Sequence, residues 1–243
     1  MDRRNFIKLG AVSGAIVLTD PAVINQRLFA HDGRMYEPYK KIQLVNDQGV
    51  AIKVADLVVN ENYIFQYPHK GTPCILLNLG EKTNNDIALK DGNGEEYVWS
   101  EGVGPEGKIV AYSAICSHAL THPNKSESFF SYVPKGVTTA AIEGGGAIVC
   151  SSHLSAFDPK NGAKVMSGPA DQPLASIVLE HNAKDDTLWA VGVLGGDKFH
   201  DYFNAFKTEM KRDWNGKRKA KKLVKISAPT IKLSQFTKEV IQY

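Results

Sequence analysis

The chain reads as an all-β protein of antiparallel strands, followed by a C-terminal helix and an extended arm. Three observations carry this reading. Short runs rich in β-branched and aromatic residues recur between clusters of Gly, Asn, Asp and Pro from about residue 45 onward. No strand–helix–strand alternation interrupts them. After Gly195-Gly196 the apolar period changes from two to that of a helix.

Taken in order, Met1-Asp2-Arg3-Arg4-Asn5-Phe6-Ile7-Lys8 followed by the apolar Leu9 to Leu18 reads as a twin-arginine export signal. The apolar run is short for a membrane span and is broken by Thr19-Asp20-Pro21. No A-x-A cleavage site stands out, since Leu28-Phe29-Ala30 begins with a large residue. Residues 1–30 are therefore read as a signal that can stay attached as a membrane anchor of a periplasmic protein. Strands follow at Val50–Val54, Tyr63–Phe65, Cys74–Leu77 and Lys108–Tyr112. Asp91-Gly92-Asn93-Gly94 is a hairpin turn that leads into Tyr97-Val98-Trp99. Pro173–Glu180 and Thr187–Val191 close the domain as a pair around Asn182–Asp186. Phe199, Tyr202, Phe203, Phe206 and Met210 then fall on one face of a helix that Asp197 can cap, and this face is expected to dock on its own domain. The basic run 217–222 reads as a solvated linker, with an anionic lipid or acidic partner as the sharper alternative. Residues 226–243 read as an arm suited to packing on a neighbouring subunit. The organisation is thus 1–30 signal, 45–196 β domain, and 197–243 helix and arm.

The 43% hydrophobic content over 243 residues supplies one core with tails, and a net charge of +3 says little by itself about partners. Nucleic acid is not an expected partner of an exported protein. The chain has no nucleotide-binding glycine loop and no nucleophile constellation, so it reads as a subunit and not as a complete enzyme.

The chemistry is concentrated in Cys116-Ser117-His118 and Cys150-Ser151-Ser152-His153. Each segment offers a thiolate and an imidazole a few residues apart, in a chain with three cysteines. Two Cys and two His suit tetrahedral zinc, but zinc modules usually group them as C-x-x-C with H-x-H. C-x-H followed by C-x-x-H is instead the spacing by which two loops hold a 2Fe–2S cluster. Cys74, in an apolar run, is read as a buried structural thiol.

On these motifs the chain resembles the Rieske iron–sulfur family. It is most similar there to the small subunit of arsenite oxidase, in Tyr67-Pro68, Pro73-Cys74, Gly102-Val103-Gly104-Pro105, the strand into Cys116, and Leu188–Val193. The resemblance implies a Rieske-type antiparallel β-sandwich with a cluster-binding subdomain. By motif position Cys116 and Cys150 would ligate one iron, and His118 and His153 the other. Ser155 matches the serine that hydrogen-bonds a cluster sulfur, and Ser167-Gly168-Pro169-Ala170 matches the proline loop over the cluster. The implied function is single-electron transfer from a catalytic oxidoreductase subunit, of molybdopterin or cytochrome b type, to a c-type cytochrome.

Three departures bear on this. Thr121 and Ser152 stand where many members carry a loop-tying disulfide, and Phe157 stands where high-potential members have a tyrosine. About 22 residues, Asn124 to Gly145, are inserted between the ligand pairs. The plain reading of the insertion is an extra hairpin packing Phe129, Phe130 and Tyr132 on the β domain; the sharper one is an aromatic rim that meets a redox partner. His122 is read as part of the loop wall or surface, with proton transfer as the alternative.

Overall fold

The computed structural model describes residues 35–243, so the arginine pair and its apolar run lie outside the described residues. The largest unit is an eight-stranded sheet. Its strands are β1 (Tyr36–Val45), β2 (Tyr63–Gln66), β3 (Pro73–Asn78), β6 (Ile109–Ser113), β12 (Ser176–Asn182), β13 (Thr187–Leu194), β14 (Ser227–Pro229) and β15 (Ile231–Lys232). Their spatial order is β14-β1-β13-β12-β6-β3-β2-β15. A hairpin of β4 (Ile87–Lys90) and β5 (Glu96–Trp99) turns at Asp91–Gly94, as the sequence predicts. A second sheet holds β8 (Phe130–Val133), β9 (Ala147–Cys150), β10 (Ser155–Asp158) and β11 (Lys164–Ser167) in the order β11-β10-β9-β8.

Both faces of the main sheet are buried, and the two-residue period sorts them. Phe65, Cys74, Leu76, Ile109, Ala111, Ile177 and Leu179 face one core, which the C-terminal helices cover. Ile64, Ile75, Leu77, Val110, Tyr112 and Val178 face a second core. Every residue of β3 and β6 is consequently buried, which is why those segments read as continuous apolar runs and not as alternation. The small sheet lays Phe130, Tyr132, Ile148, Cys150 and Phe157 on the second core, and Val133, Ala147, Val149 and Ala156 on a minor cluster behind it. Because the period is two, a one-residue slip would turn Cys150 away from that shared core.

Several expectations need correction. The β domain begins at Tyr36 and not at residue 45, since β1 pairs with β13 through Tyr36↔Leu194 and Gln43↔Trp189. Val50–Val54 forms bridges at Ala51 and Lys53 and no strand, as only isolated partners lie opposite it. The C-terminal helix is two, α1 (Phe199–Ala205) and α2 (Lys207–Trp214), broken at Phe206, where ψ is 41°. Their apolar face docks on the domain as expected, with Phe199, Tyr202, Phe203 and Met210 buried, and Asp197 Oδ1 accepts from Phe199 N at 2.9 Å. The basic run is no free linker: its short helix α3 (Lys217–Ala220) buries Ala220, and Gly71 N and Lys70 N donate to Ala220 O and Lys222 O at 3.0 and 2.9 Å.

The arm packs on its own chain and not only outward. β14 lies parallel to β1 at one edge of the main sheet and β15 antiparallel to β2 at the other, with Thr230 alone between them in sequence. The arm therefore nearly closes the sheet on itself, which covers two edges that would otherwise offer unpaired N–H and C=O groups. It continues through α4 (Leu233–Phe236) to β16 (Glu239–Val240), which pairs parallel with β7 (Glu127–Ser128) of the insertion. Gln242 Nε2 donates to Ser131 Oγ at 2.6 Å, so the arm joins the main sheet to the small one. Among the described residues no helix is long and apolar enough to cross a membrane.

Candidate metal centre

The two ligand segments are loops at matching places. The first leaves the end of β6 and the second joins β9 to β10, and both turn through a left-handed leucine, Leu120 at φ 60° and Leu154 at φ 58°. A branched residue there costs roughly 1–3 kcal/mol, so the surrounding contacts must hold it. Cys116 N donates to Thr121 O at 2.8 Å and Leu120 N to Cys116 O at 3.0 Å, closing the first loop. Ser151 N donates to Phe129 O at 2.7 Å, so the insertion fixes the second.

The four predicted ligands meet as two pairs sorted by type, cysteine with cysteine and histidine with histidine. Cys116 and Cys150 are fully buried with their sulfurs in hydrogen-bonding contact. His118 and His153 are exposed, their rings packed edge to face with centroids 4.9 Å apart. The Cys150 thiol donating to the Cys116 sulfur holds the Cys116 thiol below its usual value, and the His118 and Ala119 N–H groups add to this. The same contact, with burial, pushes the Cys150 thiol up. Two touching thiols resist ionising together unless a cation lies beside them. Among the described residues no three His, Cys, Asp or Glu groups converge as they would on a single ion; a two-iron cluster asks only two protein ligands of each iron.

The sequence model of the Rieske [2Fe-2S] domain family matches residues 78–178, a span that contains both loops. The chain carries a Rieske [2Fe-2S] domain. The cofactor of such a domain is a 2Fe–2S cluster, which replaces the zinc alternative. The iodate reductase subunit IdrB of Denitromonas iodatirespirans is 29% identical over 143 residues, covering 59% of this chain and 60% of that one, so the match spans under two thirds of the relative. A protein assigned as the Rieske subunit of a respiratory nitrate reductase in Haloferax mediterranei is 27% identical over 187 residues, covering 73% and 71%. Among solved structures, the soluble domain of the Rieske protein II (soxF) from Sulfolobus acidocaldarius aligns at 24% identity with a TM-score of 0.45, covering 65% of this chain and 81% of that one.

The residues around the Rieske loops fit the cluster. Ser155 Oγ is fully buried, has no partner in hydrogen-bond geometry, and lies close enough to the Cys116 sulfur to help lower its thiol. An orphaned donor beside a ligand sulfur is suited to an acceptor sulfur at that place. Gly168 sits at φ +83°, and a Cβ there would lie 2.3 Å from Leu154 O and 2.6 Å from Ser155 Cα. The glycine lets the proline loop rest directly on the second ligand loop, with Pro169 following it. Phe157 is buried on the same strand face as Ser155 and carries no hydroxyl to offer.

Four further residues frame the centre, of which Ser117 and Gln172 were not singled out from sequence. Ser117, between the first two ligands, donates to Gln172 O at 2.7 Å, and Gln172 Nε2 donates to Gly196 O at 2.5 Å, which ties the proline loop to the β domain. Thr121, at the disulfide position, places its hydroxyl against the Cys150 sulfur, so the two loops still touch there. His122 is buried against α2. Only tertiary contact marks Gln172 and supplies Glu209 to His122, because these partners lie far away in sequence. The insertion follows its plainer reading: Phe130 and Tyr132 are buried, and β8 adds a strand to the cluster sheet.

Proposed function

We propose that this chain is the electron-transfer subunit of a multi-subunit oxidoreductase, with Cys116 and Cys150 holding the inner iron of its cluster and His118 and His153 the outer one. The observation that carries the reading is the sorting of ligands by exposure, with thiols inside and imidazoles at the surface. A bound 2Fe–2S cluster supplies one-electron storage. The protein supplies the rest: N–H donors and Ser155 stabilise charge on the sulfurs, the proline loop excludes water, and the exposed imidazoles give a partner its closest approach. Both curated relatives are named as subunits of reductases, which supports a catalytic partner subunit. The resemblance to arsenite oxidase supports passage onward to a c-type cytochrome. The names of the two relatives favour a second reading, in which electrons run toward the catalytic subunit. Reducing the purified protein anaerobically and mixing it with a c-type cytochrome tests the first direction; no electron transfer on that mixing would overturn it.

The potential follows from the donors. The reduced cluster is the more negative form, so each hydrogen bond to sulfur favours it and raises the midpoint. With Ser155 present and Phe157 in place of a hydroxyl, we expect a midpoint in the middle of the Rieske span of roughly −150 to +300 mV. Ser155→Ala should lower it and Phe157→Tyr should raise it. A charge-assisted hydrogen bond of about 1.5–3 kcal/mol, at about 60 mV per 1.4 kcal/mol for one electron, makes each shift on the order of 60 mV or more. Protein-film voltammetry of the three proteins measures this; an unmoved midpoint in Ser155→Ala would exclude the hydroxyl.

Export through the twin-arginine route is part of the same proposal, because that route carries folded proteins and a cluster assembled in the cytoplasm needs one. Replacing Arg3 and Arg4 together by Lys should leave the protein in the cytoplasm, since the pair is read by a receptor and not as charge alone. Fractionation checks this, and normal periplasmic yield of the double variant would rule the route out.

A further inference from the structure

His122 lies four positions beyond His118, at the far end of the first ligand loop, and is almost fully buried. Its Nδ1 is 2.9 Å from Leu120 O, within the same loop. Its Nε2 is 2.8 Å from Glu209 Oε1, on α2, 87 positions away in sequence. The ring is packed edge to face on Tyr202 and Phe206, each with centroids 4.6 Å away, one on α1 and one at the break between α1 and α2. A carbonyl only accepts, so Nδ1 donates to Leu120. The Glu209 contact is then made either by an imidazolium donating to a carboxylate or by a carboxyl group donating to Nε2. Both arrangements bury the pair as a neutral unit, with side-chain exposures of 4% and 17%.

We infer that His122 is a positioning residue of the metal centre: bonded to Leu120 O and to Glu209, it fastens the first ligand loop to the C-terminal helices. This rests on the proposal that Cys116 and His118 are ligands. Leu120, the residue it grips, occupies the left-handed turn between the two ends of the loop. Positions 121 and 152 carry Thr and Ser, so no covalent tie can join the loops. A fastening from outside the loops adds to the Thr121 contact in keeping His118 in register with His153, and His122 is placed to give it. On this view α2 serves the cluster through Glu209 and His122.

The test uses the full chain with its cluster, comparing the native protein with His122→Ala, Glu209→Ala, the double variant and Glu209→Gln. Each is assayed for iron release to a chelator by visible absorption, for the electron-resonance signal of a mixed Cys/His cluster, and for melting temperature. Either alanine variant should release its cluster about tenfold faster, the lower end of the effect of outer supports on metal sites, and its signal should broaden. The double variant should be no faster than the singles, because the two residues act as one contact. Glu209→Gln, whose amide can accept from Nε2 or donate to it, should stay within about twofold of native. If His122→Ala does not fold, Glu209→Ala against Glu209→Gln decides by the same rates. Native release rates in the alanine variants, or rate effects that multiply in the double, overturn the inference. A lower melting temperature with unchanged signal and release marks a role in the fold alone and overturns it equally. Absence of the mixed Cys/His signal from the native protein would instead overturn the ligand assignment, and this inference with it.

Discussion

Replacing His153 by Ala is expected to abolish both the visible absorption and the low-g electron-resonance signal of a mixed Cys/His cluster. Two features make the loss complete and not partial. In the proposed ligand set the outer iron takes only two protein ligands, so one imidazole is half of its protein coordination. His122 and His181 are committed elsewhere, to Glu209 and to Asp186 at 2.8 and 2.7 Å. His153 is exposed and belongs to none of the three apolar clusters, so the β domain should keep its far-ultraviolet dichroism. His181→Ala, at a site on the hairpin of β12 and β13, is the control and should leave the signal intact. An unchanged signal in His153→Ala would refute the ligand set.

Ending the chain after Ile226 should be the most damaging change away from the cluster. It removes β14, β15, α4 and β16 together. Leu233, almost fully buried, contributes about 2 kcal/mol by itself. The lost bonds include Thr230 N to Val45 O and Leu233 N to Asn62 O, both 2.7 Å, and their partners are left at newly open sheet edges, for a further ~2 kcal/mol or so. At 2–4 °C per kcal/mol for a chain of this size, a total of about 4 kcal/mol lowers the melting temperature by roughly 10 °C. The exposed edges of β1 and β2 should also promote aggregation. A truncated protein melting within about 2 °C of the full chain would show that the arm is an accessory.

Most of the main sheet was legible in the sequence. β2, β3, β6 and the β12–β13 hairpin announce themselves by apolar runs between turn residues, and the period after Gly196 marks the helical segment. What misled was context. Val50–Val54 has strand composition but only isolated partners opposite it, and composition does not report partners. β1, with its Tyr36-Glu37-Pro38-Tyr39-Lys40-Lys41 start, has too few apolar residues to stand out, and it becomes a strand because β13 and β14 flank it. The helical period ran unbroken through Phe206, while the backbone there departs from the helix, which places Phe206 and Glu209 around His122.

The sequence by itself determined the types and order of the proposed ligands, because thiolates and imidazoles at these spacings are a local property of two short segments. It also determined the missing disulfide and the missing tyrosine hydroxyl, since Thr121, Ser152 and Phe157 are fixed by their chemistry wherever they lie. Tertiary structure alone decided that the thiols face inward and the imidazoles outward, that Ser155 is left without a partner beside a sulfur, and that the arm returns to both edges of its own sheet. It alone brought Glu209 to His122. These are contacts between residues tens of positions apart, and they follow from which faces can be buried together once the whole chain is packed.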